Sequence, residues 1–119
     1  MGLDWDNGGL AKGLRCYRAG EFFAAHEHWE AIWLASHDPE RIFLQALIQV
    51  AAAFHHHSRD NNRGTRLLLG AALGRLEPFP DCFGGISVSL LRDDIRQCLR
   101  AMEIDLNCKV LPPNIRLER

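Results

Sequence analysis

Phe22-Phe23-Ala24-Ala25-His26-Glu27-His28-Trp29-Glu30-Ala31-Ile32-Trp33 is the stretch that decides the fold. Its aromatic residues recur three and four positions apart, the spacing of one face of an α-helix. On a wheel of about 100° per residue, with His26 at zero, Phe22, Trp29 and Trp33 fall within roughly 60° on one side. Phe23 and Glu30 fall within roughly 60° on the other. His26 then sits in the middle of an aromatic stripe with Glu30 one turn along, while His28 and Ala31 point away and His28 is solvated.

The same period runs outward in both directions, with no strand alternation. The reading is all-α: one domain over residues 1–119, an antiparallel bundle of about five helices joined by short connections. The first covers about Gly9 to Ala19 and stops at Gly20. The second covers about Glu21 to Ala35. The third begins at Asp38-Pro39, aspartate capping and proline at the first helical position, and reaches about His57. The fourth runs from about Arg63 to Glu77, capped by Asn61, with Gly64 allowing close packing. Asp81 to Ile86 is a loop around Gly84-Gly85. Ser87 caps a fifth helix reaching about Ile104, with Leu91, Ile95, Cys98, Leu99 and Met102 inward, and Pro112-Pro113 keeps the tail extended.

Composition narrows the function classes. The chain has 119 residues, 47% of them hydrophobic, enough for a core without a metal or disulfide. A net charge of −1 argues against a nucleic-acid binder. The apolar run Phe43 to Phe54 is broken by Gln45 and Gln49 and is too short to span a membrane. Met1 to Asn7 lacks an apolar signal core. Cys16, Cys82, Cys98 and Cys108 form no close pair, which suggests a reducing cytoplasm, with Cys98 in the core.

A histidine and a carboxylate within an aromatic stripe are costly unless they find partners. Three explanations stay open: a buried hydrogen-bond network that fixes helix packing, a cleft that admits a small-molecule ligand, or a metal site.

The motif His26-x-x-x-Glu30-x-x-Trp33, preceded by Phe23-Ala24-Ala25, resembles the hallmark of the prokaryotic family called domain of unknown function 309. Phe43-Leu44-Gln45-Ala46-Leu47-Ile48-Gln49 is similar to that family's next helix, and Asn61-x-x-Gly64 with Leu67-Leu68 to its following segment. Thr65 stands where the family's pattern has alanine. The resemblance implies an all-helical fold of unestablished activity. It implies metal-binding candidates in His26 and Glu30, with Trp33 completing the motif.

A zinc site needs at least three protein ligands, and the motif supplies two. On the third helix Gln45, Gln49, Ala52 and His56 share a narrow arc. If that arc faces His26 and Glu30, His56 is the third ligand for zinc or a similar divalent ion, with His55 or His57 as substitutes in another register. Gln45 and Gln49 would then be outer donors that orient the ligands. Glu27 reaches only the edge of such a site. Two of His55, His56 and His57 are expected at the surface, favoured by the helix C-terminus.

Two functions follow, and no residue is assigned as catalytic. One is a metal-dependent enzyme such as a hydrolase. The other is a non-enzymatic interaction module or homo-oligomer, using exposed apolar residues such as Leu3, Trp5 or those near Phe79 and Phe83; Trp5, outside the helices, either covers the bundle or joins a dimer contact.

Overall fold

The computed structural model describes residues 2–118; Met1 and Arg119 lie outside the described residues. Five α-helices follow one another, α1 (Gly8–Arg18), α2 (Phe22–Leu34), α3 (Glu40–Ser58), α4 (Asn62–Leu76) and α5 (Val88–Ile104). A two-stranded hairpin, β1 (Cys82–Phe83) and β2 (Ile86–Ser87), precedes α5. Each helix packs chiefly on its neighbour in sequence. The all-α bundle expected from the periodicity is the one observed.

Helix α3 is the axis. Its buried residues include Phe43, Leu44, Leu47, Val50, Ala51 and Phe54, spread around most of its circumference. A helix that is apolar nearly all round must be covered on several sides. Here α2 and α4 cover it. Helix α5 shows the contrasting pattern, a single inward stripe of Val88, Leu91, Ile95, Cys98 and Met102.

The connections follow from local chemistry. After α1, Gly20 takes φ +80°, and the Glu21 amide donates to the Cys16 carbonyl at 2.8 Å while that of Gly20 donates to Tyr17. This paired arrangement satisfies the last carbonyls of the helix. The turn after α3 repeats it with Asp60 at φ +59° and the Asn61 amide on the His56 carbonyl at 2.9 Å. Asn61 then caps α4 as expected, its Oδ1 accepting from the Gly64 amide at 3.1 Å.

Three local expectations are corrected. Pro39 itself is the N-cap of α3, so Asp38 lies one position too early to cap it. Ser87 is the N-cap of α5 but makes no side-chain cap bond; its backbone is instead taken into pairing with the tail. The loop around Gly84-Gly85 is a hairpin, its glycines at φ +57° and +81°. Two successive positive φ values make the turn whose twist suits two adjacent strands. Two-residue strands are too short to show alternation in sequence.

The extended tail crosses back over the bundle. Pro113 accepts from the Tyr17 hydroxyl at 2.6 Å, Ile115 from Arg18, and Leu117 bridges to Ile86. Of the apolar residues considered for an interaction surface, Trp5 takes its other expected role and covers the bundle, and the rest pack inward. Trp5 is buried, donates to the Gly84 carbonyl at 2.7 Å and meets Trp29 edge-on. Phe79 and Phe83 meet edge to face, and both pack at a tilt against Phe43. Leu3 is half-buried against Gly84. No helix among the described residues is long and apolar enough to cross a membrane.

Candidate functional site

Helix α2 buries Ala25 and Trp29 completely and Phe22 and Ile32 in part. The centre of its inward face therefore lies about 80° round the helix from His26. His26 is on the flank of the stripe, not in its middle. The side chains of His26 and Glu30 are 26% and 51% exposed, so the pair is half in solvent. They do share one surface, with His26 Nε2 3.7 Å from Glu30 Oε2. That separation permits an attraction when the imidazole is protonated but is too long for a hydrogen bond.

Aromatic rings brace His26 from below. Phe23, itself 53% exposed, stacks on the imidazole with centroids 5.9 Å apart and planes 20° apart. Its ring also meets His55 of α3 at 5.3 Å. One turn beyond Glu30, Trp33 carries the Arg41 guanidinium over its ring, 4.1 Å from the centroid. His26 Nδ1, Trp33 Nε1 and Arg41 Nε are all buried without a hydrogen-bond partner among the described residues.

The polar arc of α3 turns elsewhere. Gln49 Oε1 accepts from Arg75 of α4 at 3.2 Å, which directs the arc toward α4 and away from α2. His56 is held by its own helix end, its Nδ1 accepting from the side-chain Nδ2 of Asn61 at 3.1 Å. It does not join His26 and Glu30, and no group of three His, Cys, Asp or Glu side chains able to hold a metal forms among the described residues. Gln45 is half-buried and Glu27 exposed, with no hydrogen bond from either to the pair. The packing network of His26, Glu30 and the two glutamines is therefore not formed.

The three consecutive histidines have three different roles. His55 leans on Phe23, His56 closes the helix end, and His57 is buried. His57 Nδ1 lies 3.1 Å from Asn62 Oδ1, and its Nε2 accepts from the Val110 amide at 3.3 Å. Asn62 passes its own amide to Asn107. That chain of donors leaves the neutral imidazole with its proton on Nδ1, joining α3, α4 and the tail. Two of the three are half-exposed as expected, and the buried one is structural.

Sequence reasoning did not find Arg41, and it offered His55 and His57 only as substitute ligands, not in the roles they hold. His55 and His57 had only a place in the triplet, where one residue of register turns a side chain through about 100°. Arg41 carries no pattern at all: its position over Trp33 follows from the tight return between α2 and α3.

The donor set fits the open edge of a metal site rather than a closed centre. Two atoms 3.7 Å apart can flank a cation lying about 2.0–2.2 Å from each. The other positions would come from outside this cluster.

Comparison with curated proteins gives no match. The model of the family described as domain of unknown function (DUF309) matches residues 10–68, from α1 into α4, with α2 and α3 complete. Over that stretch, which holds every residue of the site just described, the chain belongs to the domain of unknown function 309 family.

Proposed function

We propose that the chain is a small helical binding module whose ligand seat is the exposed flank of α2, and that His26 and Glu30 bind a divalent cation there. The observation that supports this reading is the facing pair itself: an imidazole and a carboxylate 3.7 Å apart, half-exposed, with no hydrogen bond from either side chain among the described residues. A pair kept only for packing would be buried and hydrogen-bonded. Imidazole with carboxylate suits zinc or a similar ion, and the remaining coordination falls to water or to the ligand. Hydrolysis is a finer reading that two ligands do not carry. In the reducing cytoplasm expected for the chain, its unpaired cysteines would stay free.

Calorimetric titration of tag-free protein with zinc tests the reading. One ion per chain is expected, lost in both His26→Ala and Glu30→Gln. No binding to the parent chain, or equal binding by both variants, removes it.

A further inference from the structure

We propose that the ligand of this face carries an oxyanion, a carboxylate or phosphate group, and that Arg41 and Trp33 hold it. The proposal rests on the reading of the α2 flank as a ligand seat and adds the chemical class of what sits there.

Three buried side-chain nitrogens lack a protein partner among the described residues, and two of them, Trp33 Nε1 and Arg41 Nε, belong to residues in contact. His26 and Trp33 stand two turns apart on α2 with Glu30 between them, and Arg41 reaches over Trp33 from the first turn of α3. Buried polar atoms are nearly always paired, so two on residues in contact, with a third two turns along the same helix, call for a cause. The indole and guanidinium nitrogens only donate. A group that satisfies them must accept.

Charge points the same way. Arg92 donates to the Leu76 and Phe79 carbonyls and to Asp81, and Arg96 pairs with Glu77 and Asp93. The Arg41 guanidinium has no ion pair and no hydrogen bond among the described residues and lies instead over the Trp33 ring. Lying over a flat indole holds the planar guanidinium fork in place, the preparation that two-point recognition of carboxylate or phosphate uses. Glu30 repels an anion at this seat, and a cation bound by the His26–Glu30 pair would offset that repulsion.

The test uses the ¹⁵N-labelled whole chain without metal. Its three tryptophans give three indole N–H signals, and Trp33→Phe assigns the one of interest. Inorganic phosphate and acetate are titrated separately at constant ionic strength, so the two arms separate the two oxyanions. A saturable shift of the Trp33 signal is expected in at least one arm, with Trp5 and Trp29 unmoved. Arg41→Gln should weaken it about tenfold or more. Arg41→Lys, which keeps the charge but loses the fork, should fall between, and it decides the matter if Arg41→Gln fails to fold. Glu30→Gln should tighten oxyanion binding while abolishing zinc binding, so the two proposals fail separately. A Trp33 signal that stays still in both arms, or moves equally in the Arg41 variants, overturns the proposal.

Discussion

The indole of Trp29 lies directly on the backbone of α1 at Gly13, where a Cβ would fall 2.3 Å from Trp29 Nε1. From that seat the indole donates to the Leu10 carbonyl at 3.2 Å. Tyr17 flanks it at 5.9 Å between centroids. The α1–α2 pairing thus depends on one missing methyl group. Gly13→Ala in an ordinary helix interior would stabilise by roughly 0.5–1 kcal/mol. Here overpacking wins, and a loss of about 1–3 kcal/mol is expected in chemical denaturation. A gain in stability would show that the indole can move aside.

His26→Ala should lower stability by less than about 1 kcal/mol, because the pair is half-exposed and not hydrogen-bonded. A buried network would have lost about 1–3 kcal/mol through a stranded carboxylate. Urea unfolding of His26→Ala beside the parent chain separates the two, and a loss in the upper range would return the motif to packing.

His57→Ala should cost more than His56→Ala. The first strands Asn62 Oδ1 and the Val110 amide. About 2–3 kcal/mol is expected for it, with faster hydrogen exchange at Val110. The second removes a half-exposed ring with one polar partner, a change of about 1 kcal/mol or less. Equal effects would mean that the tail is held without His57.

Alkaline pH should destabilise the chain. Burial first, then the charge of Asp94, pushes the Cys98 thiol up to about 11 from 9.0. Burial likewise holds the Tyr17 phenol above its ordinary range. The unfolded chain gives up these protons first, so unfolding is favoured as pH rises. The contribution of Cys98 is whole below about pH 9 and lost by about pH 11. Urea midpoints measured across that window should fall, and less steeply in Cys98→Ala. A flat profile would contradict the burial of both groups.

Much of the fold was legible because each signal was local. The stripe of α5, the glycine ending α1 and the asparagine opening α4 each act within a turn or two of themselves. The site was legible only along one helix: the spacing of His26 and Glu30 fixed their common face. What α3 offers to that face was not, because Arg75 on α4 competes for Gln49 and Asn61 for His56. Pro39 shows the same limit, since its place relative to α3 is set by the return from α2 rather than by its own preference.

The hairpin turn ties together segments from opposite ends of the sequence. Trp5 donates to the Gly84 carbonyl, and the Glu118 amide donates to that of Gly85. Leu3, Trp5, Gly85, Leu117 and Glu118 line one small hollow. The described chain therefore closes on itself like a clasped bracelet. A short linker joining the segments at Leu3 and Glu118 would follow a contact the fold already makes, and the polypeptide could be reopened at another exposed bend. Cutting back either end would loosen the other, since both hang on the same two glycines.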